Sequence, residues 1–168
     1  MKQIIQAIQN RLMQAVSELK YIDQDWGQME FWREAPVKFP CALIDIQSAQ
    51  YTNNSQMVQQ GVAMVVIRLF DLKLSNSSGK APENQKENAK KIWQLIEDVN
   101  KALHGQNFLQ EDYGLPIRTQ MRRTKREDGC YQTEIYYTIQ FTDNTCMPVL
   151  DHVEQVTPVI KTVSLSKA

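Results

Sequence analysis

The sequence contains few of the residues that usually carry catalysis or metal binding. Its 168 residues include two histidines, three cysteines and six glycines. No Cys or His pair has the spacing of a zinc site, and the scattered single glycines form no phosphate-binding loop. Paired carboxylates such as Asp23 and Asp25 are typical of solvated loop residues. We therefore expect no metal, no cofactor and no enzymatic activity.

The sequence also has too few cysteines for a disulfide framework and no long apolar run. Cys41, Cys130 and Cys146 are odd in number and widely spaced, a pattern typical of reduced thiols. No segment approaches the roughly 20 apolar residues that span a bilayer. The N-terminus lacks the continuous apolar core of a signal peptide. We expect no membrane partner and no export by the usual route.

Charge of neither sign is in excess. The 19 basic and 19 acidic residues balance, and the pI is near 6.7. The net charge of the chain therefore does not attract it to nucleic acid or to an anionic membrane. A length of 168 residues is typical of a single domain that buries about 70% of its unfolded surface.

Two segments have the three-four spacing of apolar residues that predicts an amphipathic helix. The first runs from Lys2 to about Tyr21. The second begins at Pro82, which is suited to a first helical turn, and ends near His104, with Gly105 as its C-cap. The apolar residues of the two stripes are Ile5, Ile8, Leu12, Val16, Leu19, Ile92, Ile96, Val99 and Leu103.

Two pairs of segments predict β-hairpins. The first pair is Phe39–Ile46 and Gln59–Phe70, joined by a polar loop. The second is Ile117–Thr124 and Cys130–Thr142, joined by a turn that contains Asp-Gly. We predict an α+β fold: an antiparallel sheet of about four strands, with both helices packed on one face. The order is helix, two strands, helix, two strands. Residues 1–146 form the predicted domain, and residues 147–168 an extended tail or edge strand.

The strand Gln59–Phe70 is apolar on both faces. One face carries Ala63, Val65, Ile67 and Leu69, and the other carries Val62, Met64, Val66 and Phe70. A half-exposed antiparallel strand would alternate apolar with polar residues. Two helices cover one side of a sheet, so a second subunit could cover the other. The candidate subunit interface is therefore the set Ala63, Val65, Ile67 and Leu69, or the opposite set.

A basic cluster follows the third predicted strand and its turn. It consists of Arg118, Arg122, Arg123, Lys125 and Arg126. One interpretation is a patch that meets DNA or an acidic partner. The other is a charged strand face that limits edge aggregation and pairs with Glu134, Glu127 and Asp128. The neutral overall charge of the chain disfavours specific DNA binding. It is still compatible with a basic patch that lines the pore of an assembly through which DNA passes.

The connector before the first hairpin is rich in aromatic residues. Trp26, Phe31 and Trp32 lie between the first helix and Pro36. Such a set either forms a binding platform or pins a long loop to the domain, and the second interpretation is the more common.

The element order resembles that of phage tail-completion and tail-terminator-like proteins, the small neck components that act in head–tail joining. The matching features are the N-terminal helix with its apolar stripe, the connector Asp25-Trp-Gly-Gln28, the Pro-rich strand entry Pro36–Asp45, the apolar strand to Phe70, and the helix from Pro82. The resemblance covers roughly residues 1–142.

This resemblance implies a non-enzymatic structural protein of a phage or prophage. It implies self-assembly, often into hexameric rings, and contact with tail-tube or neck proteins. The expected location is the virion or the host cytoplasm. The alternative, taken from the residues themselves, is an adaptor that binds nucleic acid or an acidic partner through the strand Arg118–Arg126. No catalytic residues follow from the resemblance.

Overall fold

The fold is described from a computed structural model, which describes residues 1–72 and 76–147. Two helices and five strands follow the chain. They are α1 Lys2–Ala15, β1 Tyr21–Gln24, β2 Cys41–Asn53, β3 Gln59–Leu72, α2 Glu83–Leu103, β4 Ile117–Lys125 and β5 Cys130–Asp143, with a short 3₁₀ helix at Gln28–Glu30. The predicted tail at residues 147–168 lies, beyond Met147, outside the described residues.

The strands form one sheet in the order β1-β2-β3-β5-β4. Three neighbouring pairs are antiparallel, and β1 runs parallel to β2. Both helices contribute to a core on one face of this sheet. The prediction of an α+β fold is therefore confirmed, and its strand count is corrected from about four to five.

The corrected boundaries have local causes. Helix α1 ends at Ala15, because Val16 leaves helical dihedrals at φ −130° and ψ 82°. The chain then enters β1, whose four residues are too few for their hydrophobic pattern to predict a strand. Strand β2 continues past Ile46 through a bulge to Asn53. Its outer half is exposed and polar, because β1 pairs only with Cys41–Ile44.

The second hairpin matches its predicted pattern. Side chains of β5 alternate, so Ile135, Tyr137 and Ile139 join the core beneath the helices. Gly129 in the turn between β4 and β5 has φ 81°, a left-handed conformation that glycine adopts without cost. Gly105, the predicted C-cap of α2, also has positive φ, at 67°, but the helix is capped one residue earlier, at His104.

The core lies between the helices and the sheet. Ile4, Ile8 and Leu12 of α1 are buried against residues of β2 and β3, beside the apolar stripe of α2. Each fully buried aliphatic side chain contributes about 1.5–3 kcal/mol relative to its exposed state. In the described ranges no helix is both long and apolar enough to cross a membrane.

Candidate interaction surfaces

The four residues first proposed for a subunit interface lie in the core. Ala63, Val65, Ile67 and Leu69 have no exposed surface and pack beneath α1 and α2. Their register on β3 turns all four toward the helices, so they cannot meet a second subunit. This part of the interface prediction is wrong, and the opposite face of β3 is the one without a helix.

The helix-free face is covered in part by the chain itself. Val66 and Phe70 are buried there, and Met64 is half-buried. Phe70 belongs to a second, smaller core with Met29, Cys41 and other residues. The remaining members of that core are Leu43 and Cys130, with Tyr21, Trp32, Val37, Phe39 and Leu72 packed around them. The connector after β1 thus covers the Phe70 end of this face, where the sequence suggested a neighbour.

Trp32 anchors this connector to the sheet. Its indole Nε1 donates to Asp128 at 3.1 Å, and its ring meets Phe39 edge-on with centroids 5.1 Å apart. The Arg126 guanidinium donates to the carbonyl of Met29 at 2.9 Å and pairs with Asp128 at 2.7 Å. That guanidinium and the Cys130 amide help to hold the pKa of Asp128 well below its usual range.

The other two aromatic residues of the connector remain accessible. Trp26 and Phe31 are about half exposed, and their ring centroids lie 5.5 Å apart. The aromatic set therefore divides: Trp32 pins the loop, while Trp26 and Phe31 form a small apolar surface patch.

A network of charges occupies the centre of the helix-free face. Arg68 of β3 pairs with Asp25 and Asp45, and its Nε lies 3.6 Å from Glu134. Glu134, with 7% of its side chain exposed, also accepts from Arg122 at 2.8 Å. Buried charges are tolerated where they are paired and hydrogen-bonded in this way.

Hydrogen bonds determine the ionisation of Glu134. Burial raises its pKa, but donation from the Tyr136 hydroxyl at 2.8 Å and from Arg122 outweighs burial, so the pKa lies below its ordinary value. Gln132 donates to the other carboxylate oxygen at 3.1 Å. A carboxylate held ionised by so many donors is suited to structural pairing more than to proton transfer.

One residue of the sequence indicated this network. Arg68 interrupts an otherwise apolar strand, and a cation in that setting requires a partner. The partners lie on β2, β5 and the connector, so their identity depends on the strand order, which no local pattern specifies.

The predicted basic cluster divides into two groups. Arg122 and Arg126 are paired with Glu134 and Asp128. The interpretation of a charged strand face that pairs with nearby carboxylates predicted these two pairs. Arg118, Arg123 and Lys125 have no carboxylate within 4 Å among the described residues. Register with β5 places these three on the helix side of β4, where the strand is exposed along almost all its length.

Groups that could perform chemistry are sparse in the described part of the chain. It contains no cluster of three or more His, Cys, Asp or Glu residues that could hold a metal ion. His104 accepts a hydrogen bond from the Arg118 amide at 3.0 Å. Cys41 and Cys130 are buried, and burial raises their pKa values to about 12 and about 11.

Comparison with solved structures identifies a neighbour of this fold. A chain from a structure described as the virion of a native gene transfer agent particle aligns with a TM-score of 0.55 at 9% sequence identity. The alignment covers 84% of this chain and 96% of the other. The two share a fold. No protein-family model matches the sequence, and no curated protein matches it.

Proposed function

We propose that this chain is a structural protein of a phage or prophage-derived particle. Its role is tail completion, tail termination or head–tail joining, carried out through self-assembly into a ring. The observation that carries the proposal is the fold shared with a gene transfer agent virion chain over nearly the whole of both chains. The element order quoted for the phage neck proteins supports it independently.

The open edges of the sheet support the assembly part of the proposal. Strand β4 is an exposed edge, and the outer half of β2 is a second edge beyond β1. Exposed edges are sites at which another chain can pair. A contact between two different surfaces of identical subunits generates a ring if the rotation closes.

Light scattering and negative-stain electron microscopy of the purified chain test the assembly. We expect oligomers of defined mass that appear as closed rings, formed by the chain itself or on addition of its tail-tube protein. A strict monomer at high concentration under both conditions would contradict the proposal. Deletion of the gene from its prophage tests the role: we expect heads and tails that fail to join, or tails of irregular length.

A second candidate function is an adaptor for nucleic acid or an acidic partner. Its specific support is the unpaired group Arg118, Arg123 and Lys125, described above. Because Arg122 is paired with Glu134, Arg123→Ala with Lys125→Ala is the informative variant. Fluorescence anisotropy with DNA at low salt should show binding that this variant loses, and no binding at low salt would exclude an adaptor for DNA.

A further inference from the structure

An apolar cleft opens where β3 ends, between α2 and the chain that follows α1. Its volume is about 700 Å³. The apolar side chains that line it include Phe39, Pro40, Leu72, Ile92, Leu95 and Tyr131. Ligand pockets in proteins have volumes of about 300–1,000 Å³ and mostly apolar walls. The cleft therefore has the size and lining of a binding site.

The cleft also carries an excess of carboxylates. Glu18, Asp71 and Asp98 line it together with two lysines, Lys20 and Lys91. Asp71 is partly buried, and burial raises its pKa although the charge of Lys20 acts in the opposite direction. Among the described residues, no Lys or Arg lies within 4 Å of this carboxylate. An occupant with a cation beside apolar side chains would therefore complement both the apolar wall and Asp71.

The sequence beyond Met147 contains a segment of that composition. Residues 155–168 include no Asp or Glu and two lysines, Lys161 and Lys167. The apolar residues around these lysines are Val156, Val159, Ile160, Val163 and Leu165. The excess charge of the segment is opposite in sign to that of the cleft, and Lys161 directly follows two apolar residues. The segment thus complements the cleft in charge and in apolar character.

The length of the sheet favours the cleft of a second copy as the place where this segment binds. Tyr131 at the cleft and Asp143 at the end of β5 are about 40 Å apart at the usual rise per residue. Met147 stays near Asp143, because its amide donates to the carbonyl of Asn144 at 2.9 Å. The segment from there to Ile160 spans at most about 45 Å when fully extended. Reaching the cleft of the same chain would use most of that length, whereas a neighbour in an assembly can bring its cleft closer.

We propose that residues 156–163 of one copy occupy this cleft in the next copy of the assembly. The inference rests on the proposed self-assembly and names one of its contacts. Val159 and Ile160 pack against the apolar wall, and the Lys161 ammonium faces the carboxylate of Asp71. Because the cleft and the segment are different surfaces of one chain, the contact runs head to tail and forms a ring if its rotation closes.

Disulfide trapping in the full-length chain tests this contact. The trapping variant carries Asn88→Cys in the cleft and Ile160→Cys in the segment. It also carries Cys146→Ser, which removes the exposed native thiol and leaves two buried ones. Under mild oxidation we expect most chains to form a ladder of cross-linked multimers on a non-reducing gel. The matched control replaces Asn88→Cys with Glu97→Cys, an exposed position of α2 outside the cleft, and should give little cross-linking.

Each outcome of the trapping experiment decides the inference. A cross-link confined to single chains would show that the segment covers the cleft of its own chain, and would overturn the exchange between copies. Cross-linking no greater than in the control would also overturn it. If the native chain assembles and the trap fails, this contact is rejected and the proposed function stands. A native chain that never assembles would instead reject the proposed function.

A charge exchange tests the pairing of Lys161 with Asp71. Like charges across an interface disfavour association, so we expect Lys161→Glu to assemble at least about 10-fold more weakly than the native chain in sedimentation-velocity experiments. Adding Asp71→Lys should restore much of the assembly. The matched control is Lys167→Glu, which lies outside residues 156–163 and should assemble normally. A defect in Lys161→Glu that Asp71→Lys does not relieve, or no defect at all, would overturn the pairing.

Discussion

Removing Arg68 should destabilise the sheet through the carboxylates it leaves behind. In Arg68→Met the side chain keeps its apolar stem, but Asp25, Asp45 and Glu134 lose their shared cation. Arg122, which is largely exposed, is then the cation that remains paired with Glu134. Removing one partner of a buried ion pair costs about 3–5 kcal/mol.

The partial exposure of this network reduces that figure. Arg68 is 21% exposed and Asp45 33% exposed, and solvent screening weakens pairs of this kind. We therefore expect a loss of about 3 kcal/mol in the free energy of unfolding at pH 7. Urea denaturation measures it, and the slope against urea concentration should not change. The matched control is Arg118→Met, on the exposed strand β4, which should alter stability by at most about 0.5 kcal/mol.

The pH dependence separates the charge effect from a packing defect. The pKa of Glu134 is lowered in the folded protein, so its contribution is present above about pH 4.5 and is lost as the pH falls through the folded pKa. In Arg68→Met, Glu134 loses one of the cations that lower its pKa, and protonation of Glu134 relieves its repulsion with the neighbouring carboxylates. The stability gap to the native chain should narrow between pH 7 and pH 4. A gap below about 1 kcal/mol at pH 7, or one that does not change with pH, would refute the reasoning.

Two further predictions concern packing and thiols. A Cβ at Gly61 would lie 2.3 Å from Cζ of Phe141, so Gly61→Ala should cost about 1–3 kcal/mol in urea denaturation, and adding Phe141→Leu should recover part of the loss. At pH 8 a thiol reagent should modify the exposed Cys146 rapidly, and Cys41 and Cys130 only after unfolding, because burial raises their pKa values to about 12 and about 11; three fast thiols in the native chain would contradict this.

Much of the fold followed from periodicity. The stripe of α2, the Asp-Gly turn and the alternation of β5 each specify a local structure that packing then preserves. Strand β1 could not be predicted from periodicity, because it is only four residues long and pairs in parallel with a distant segment. The outer half of β2 escaped detection because it lies at an open edge, where polar side chains and a bulge weaken the pattern.

The candidate site was harder to predict, because pairing across the sheet determines which charges remain available. The five basic residues of the predicted patch look equivalent in the sequence. Strand register places Arg122 opposite Glu134, with which it forms an ion pair, and the turn brings Arg126 to an ion pair with Asp128. The turn pair lies within a local window, whereas the pair of Arg122 with Glu134 depends on the register of the hairpin, including its irregularity between Arg118 and Gln120.

The apolar residues on both faces of β3 were the first argument for assembly. The structure weakens this argument, because the chain itself packs against much of that apolar surface. One face lies under the helices, and the Phe70 end of the other packs with the connector pinned by Trp32. Where the chain covers both faces of the strand, no neighbour is needed. Exposed apolar side chains occur along β4 and at the end of the β2–β3 hairpin, and also at other places on the surface, among them Trp26 and Phe31. If subunits assemble through such edges and ends, as proposed, the core of each stays intact, and a subunit can fold first and join its neighbours afterwards.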